Sequence, residues 1–140
     1  MNRMVKALNK AFETAKRKNW DRVYIGCDIH ETILRPTWSK ELSTEYYPYA
    51  KEVMQLLSSR EDVCLILWSC SILETNKKYH EFFKEDNITF DYINENPMPS
   101  TEYADFETKL YFSLGFDDKF GFEPEEDWLE LYNYLAQKKK

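Results

Sequence analysis

Glycine and cysteine are scarce in this chain, at three residues each, and histidine scarcer still at two. Cys27, Cys64 and Cys70 are too few and too unevenly spaced for a disulfide framework, and no His/Cys cluster forms a zinc-type ligand set. Long apolar runs are missing too: "VCLILW" falls far short of the ~20 residues that a membrane span needs. Arg3, Lys6 and Lys10 interrupt what would have to be the apolar core of a secretory signal. There are no internal repeats or low-complexity tracts. Nor is there a surplus of positive charge. A formal net charge of -6 and a pI near 5.0 argue against a dedicated nucleic-acid binder, whose phosphate contacts call for a basic face. The expectation is a protein of the reducing cytoplasm with no membrane partner. Its oligomeric state is not legible in the sequence.

What is present suffices for a core. At 140 residues, 43% of them hydrophobic, residues 1–140 fit one domain. Residues 1–22 carry seven basic side chains against Glu13 and Asp21, a local +5 that leaves -11 for the rest. Met4, Leu8, Phe12 and Ala15 recur at helical spacing there, so the basic segment, residues 1–20, reads as an amphipathic helix docked on the body. "RVYIGCD" reads as a strand covered on both faces, "LRPTWSKELSTE" as a loop or short hairpin, and Pro48 as the first turn of a helix ending near Arg60. "VCLILWS", "ITFDYI" and "KLYFSLGF" supply three more strands, with a helix over 72–86 and a loop at "NENPMPSTEYAD" between them. Pro124 and a cluster of acids open a closing helix, with 135–140 as a frayed tail. Alternating strands and helices predict an α/β fold: a Rossmann-like three-layer sandwich around a short parallel sheet, the N-terminal helix packed on the core.

Sites in such sheets lie beyond the carboxyl ends of the strands. Strand one ends at Asp28, strand two at Ser69 with Cys70 after it, and strand four runs into Asp117 and Asp118; Lys109 begins strand four. Each alone is an ordinary turn or cap residue. Three carboxylates gathered on one edge repel unless a cation intervenes. Magnesium, which takes carboxylates, water and substrate phosphate, is the economical one. "GCD" and "GFDD" each put a glycine, Gly26 and Gly115, two residues before an acid, as if two strands lay side by side beneath one site.

In order along residues 22–124, "YIGCDIHETIL", "ILWSCS" and "TKLYFSLGFDDKFGF" resemble the motifs of the haloacid dehalogenase-like phosphohydrolases. The spacings leave no room for a cap domain, so the likeness is to a small capless member. The resemblance implies a magnesium-dependent phosphatase. Asp28 would form an aspartyl-phosphate, and Ser69, with Cys70 and Thr32 nearby, would bind the phosphoryl group. Lys109 would neutralise charge. Asp28, Asp117, Asp118 and the backbone carbonyl of His30 would hold magnesium.

The family pattern is Asp-x-Asp-Gly-Thr, whereas this chain reads Asp28-Ile29-His30-Glu31-Thr32. His30 replaces the acid that protonates the leaving group, and imidazole is able to do such work, although a neighbouring cation opposes its protonation. A slow enzyme, or one needing good leaving groups, is expected. The alternative is a non-catalytic binding or regulatory module of the same fold. A response-regulator receiver fits less well, because receivers carry the acidic pair after the first strand. Trp38, Tyr46, Tyr47 and Tyr49, after the nucleophile, either stack on a substrate or pack the core.

Overall fold

The computed structural model describes residues 2–37, 41–69, 71, 73–95 and 112–138. Its elements run α1 (Arg3–Arg17), β1 (Val23–Cys27), α2 (Ala50–Ser58), β2 (Val63–Leu67), α3 (Leu73–Glu85), β3 (Tyr92–Ile93), β4 (Leu114–Phe116), a 3-10 turn (Asp118–Phe120) and α4 (Asp127–Lys138). The four strands form one parallel sheet in the order β3-β2-β1-β4. From β1 the chain steps outward to β2 and β3, then returns to the opposite side of β1 as β4. The winding therefore reverses between β1 and β4, the position at which an α/β sheet opens a crevice beyond its strand ends.

Period-two alternation divides the sheet residues cleanly. Val23, Ile25, Cys27, Val63, Leu65, Leu67, Leu114 and Phe116 join one core with Leu8 of α1, Val53 and Leu57 of α2, Tyr79 and Phe83 of α3, and Trp128 and Leu131 of α4. The intervening Tyr24, Gly26, Cys64, Ile66 and Gly115 face the other way. The arrangement is consistent with a Rossmann-like three-layer fold, of which the described residues supply the sheet and the layer on one face. Among the described residues no helix is long and apolar enough to cross a membrane.

The basic N-terminal segment is a docked helix. Met4, Val5, Leu8 and Ala15 are buried, and α1 packs on α4, β1 and β4. Asn2 caps it, its Oδ1 accepting from the Met4 and Val5 amides, while its Nδ2 donates to Asp127 at the start of α4.

Several elements are shorter than the sequence predicts. In "ITFDYI" only Tyr92–Ile93 pair in the sheet; Ile88 and Phe90 are buried by packing instead. "KLYFSLGF" contributes Leu114–Phe116, with Lys109 to Tyr111 outside the described residues. Helix α2 starts at Ala50, two residues after Pro48, because Tyr49 adopts the left-handed conformation (φ 68°). Pro124 lies in a turn ahead of α4, and α4 continues to Lys138, into the expected tail. The two ends of "LRPTWSKELSTE" pair: Leu34 bridges Tyr46, and the Arg35 amide donates to the Glu45 carbonyl at 2.8 Å.

Candidate active site

Gly26 and Gly115 pair directly across β1 and β4, so the sequence repeat "GCD"/"GFDD" marks adjacent strands in register. One step further on, the Asp28 amide donates to the Phe116 carbonyl at 2.9 Å, carrying the ladder to the rim. Asp117 then leaves the strand in extended conformation and caps the 3-10 turn, its Oδ1 accepting from the Lys119 amide at 2.9 Å. The turn closes on Gly121 at φ 91°, a conformation that glycine adopts without steric cost. These constraints bring carboxylate oxygens of Asp28, Asp117 and Asp118 within 4.8 Å of one another.

The electrostatics follow from that crowding. Partial burial, with the charges of Asp117 and Asp118, raises the Asp28 carboxyl to about 6, against the Ile29 amide hydrogen bond and the positive charge of Lys119, which lower it. Ile29 N–H donates to Asp28 Oδ1 at 2.8 Å, which fixes the carboxylate's orientation and leaves Oδ2 for a ligand. The preceding residue is inert: Cys27 is a free, fully buried thiol whose ionisation burial opposes strongly.

The loop after β1 is built inward. Ile29, Thr32, Ile33 and Leu34 are completely buried, and the Ile29 carbonyl accepts from both the Ile33 and Leu34 amides. Glu31 is exposed, at φ 58°, where the motif that this stretch resembles has glycine. Thr32, expected beside the substrate, points into the protein: its Oγ1 accepts from the Asp118 amide at 3.2 Å and its carbonyl from Trp128 Nε1 at 2.7 Å. It ties the loop after β1 to Asp118 and both to α4.

The imidazole of His30 turns toward α3. Its Nε2 lies 2.9 Å from the Tyr79 hydroxyl, the Ser43 amide donates to that same hydroxyl, and the rings meet edge-on with centroids 5.4 Å apart. Burial lowers the His30 pKa, against the pull of Glu31. Ser69 begins the approach to α3: its Oγ accepts from the Ser71 amide at 3.1 Å. Asn94 clamps the Ser69 backbone from both sides, accepting from its amide and donating to its carbonyl, each at 2.8 Å. Cys70 and Lys109 lie outside the described residues.

Sequence reasoning missed Asn94, which only the β2–β3 pairing brings beside Ser69, and Tyr79, 49 residues along the chain from His30. It also overlooked Lys119, whose charge faces Asp28. Of the aromatic cluster, Trp38 lies outside the described residues; the other three pack. Tyr46 donates to Asp86 Oδ2 at 2.8 Å, Tyr47 lies buried beneath the Arg35 guanidinium, and Tyr49 meets Tyr132.

No protein-family model and no curated protein matches the chain. Among solved structures it is similar to that of a conserved protein from Bacteroides thetaiotaomicron, with 29% identity over 85% of this chain and 93% of that one, at a TM-score of 0.63. The chain therefore shares a parallel-sheet α/β architecture with that protein over most of both lengths.

Proposed function

We propose that the chain is a magnesium-dependent phosphohydrolase of the haloacid dehalogenase-like kind, acting on phosphomonoesters through an aspartyl-phosphate at Asp28. The observation that carries this reading is the convergence of the Asp28, Asp117 and Asp118 carboxylates within 4.8 Å at the switch point of the sheet. Three oxygen donors without sulfur or imidazole suit magnesium, and their mutual repulsion is what a bound cation relieves. When bound, magnesium would neutralise the carboxylates and polarise the phosphoryl oxygens.

Asp28 Oδ2 attacks phosphorus, forming the acyl-phosphate bond as the phosphorus–oxygen bond to the leaving group breaks and that oxygen takes the electron pair. Water then attacks phosphorus, releasing phosphate and restoring the carboxylate. By resemblance, Ser69 binds the phosphoryl oxygens and Lys109 offsets their charge. The proton for the departing oxygen is the weak point. His30 stands where the family has its acid, and its Nε2 is engaged with Tyr79. Turnover is therefore favoured for leaving groups that depart as stable anions. Hydrolysis of p-nitrophenyl phosphate with magnesium tests the proposal: turnover no greater than that of Asp28→Asn defeats it.

The same engagement of His30 favours a second reading, a module that binds magnesium and phosphate without turning substrate over. Here His30→Asp separates the two: an active enzyme gains rate from a restored acid, whereas a module gains none.

A further inference from the structure

We infer that the acidic edge continues into an apolar slot for the leaving group and that the slot takes a single uncharged aromatic ring, making aryl-bearing phosphomonoesters the preferred substrate class. This rests on the reading of Asp28 as the phosphoryl acceptor. A cavity of about 100 Å³, room for roughly one ring, counts Asp28 and Asp117 among its lining residues. A group in it is thus joined by few bonds to a phosphoryl group at the carboxylates.

Gly26 and Gly115 line the slot, and their missing side chains keep it open. A Cβ at Gly115 would lie 3.4 Å from the Phe112 ring and 3.9 Å from that of Phe120. Trp68, Phe112 and Phe120 stand around it at 43%, 41% and 73% exposure. Large aromatic side chains held in water around one cavity, beside convergent polar groups, mark a ligand surface. Among the described lining residues the only charges are those of Asp28 and Asp117, which repel a second anionic group. Stacking against aromatic walls then favours a planar, neutral ring.

Phosphonates isolate the inference from leaving-group chemistry, because they bind without being hydrolysed. Calorimetric titration with magnesium compares benzylphosphonate and methylphosphonate on the wild-type chain, Phe120→Ala and Trp68→Ala. The expected result is benzylphosphonate binding about tenfold tighter, the preference falling in both variants while methylphosphonate binding is unchanged. Equal affinities, or a preference surviving both substitutions, in a chain that hydrolyses p-nitrophenyl phosphate, overturn the inference and leave the hydrolase reading standing. Failure of both phosphonates to bind in a magnesium-dependent way overturns the hydrolase reading, and the inference with it.

Discussion

Two aspartates taken out of bulk water show what separates structure from function in this molecule. Asp127, 1% exposed, is surrounded by donors: Asn2 Nδ2 at 2.9 Å and the Glu123 amide at 2.7 Å. Asp28, half-buried, has one backbone donor and faces two further carboxylates. The first arrangement closes on itself and welds α1 to α4. The second is left electrostatically open, and burial has been used there against stability.

Exchanging carboxylate for amide gives the sharpest test of that contrast. On the proposed reading, Asp28→Asn is expected to cut turnover at least about 10³-fold, because the proposed nucleophile is lost. The same change is expected to raise, not lower, the unfolding temperature of the metal-free chain, since it deletes a repelled charge. Steady-state kinetics and thermal melts in chelator measure both. A loss of stability comparable to that of an Asp127 variant would erase the distinction.

Asp127→Ala should act in the opposite sense. It strands the Glu123 amide and the Asn2 side chain without their acceptor, at a cost of about 2–4 kcal/mol, read by urea denaturation. Activity per folded molecule should be unchanged, because the residue belongs to the helix junction and not to the acidic edge.

The positions of both aspartates were unequally legible in sequence. Asp28, Asp117 and Asp118 were readable because strand ends in a parallel sheet are informative, and because Gly26 and Gly115 repeat at the same offset from an acid. The fold was readable for the same reason: buried strands and amphipathic helices each carry their own period. What could not be read depends on contacts distant in the chain. Neither the His30–Tyr79 pair nor the Asn94 clamp on Ser69 leaves a periodic trace. The inward hydrogen bonds of Thr32 were not legible either, because spacing says nothing about which way a loop side chain points. The aromatic slot was missed because Trp68, Phe112 and Phe120 belong to separate segments, whereas Tyr46, Tyr47 and Tyr49 are neighbours in sequence but pack apart.

Titration sharpens the comparison further. The folded Asp28 carboxyl, at about 6, lies above its unfolded value of about 3.9. Below both values the proton is bound in either state. As pH rises from about 4 to 6 the unfolded chain releases it first, so stability falls across that window and stays lower above it. Asp62, held below the usual carboxylate range mainly by Arg60, acts the other way at lower pH, where its contribution is lost as it protonates. Chemical denaturation at pH 4 to 7 in chelator should show the decline, and magnesium or Asp28→Asn should flatten it. A decline that persists in Asp28→Asn would assign it elsewhere.

The smallest effect concerns the backbone that presents Asp28. Five described residues other than glycine have positive φ, and three are asparagines, Asn19, Asn87 and Asn94, which tolerate it. Glu31 and Tyr49 do not share that tolerance, and they lie at either end of the segment linking β1 to α2. Replacing Glu31 with glycine relieves a left-handed conformation in the folded chain but loosens the unfolded one. The balance is a gain of about 0.5–1 kcal/mol, roughly 2–4 °C in unfolding temperature. The Glu31 amide, which donates to the Leu34 carbonyl at 3.0 Å, keeps its bond whatever the side chain, so the loop geometry and the Asp28 site should survive. A stabilised variant with unchanged turnover would show that Glu31 is tolerated strain on the water side of the loop. A stabilised variant that loses activity would give the Glu31 carboxylate a part in the site.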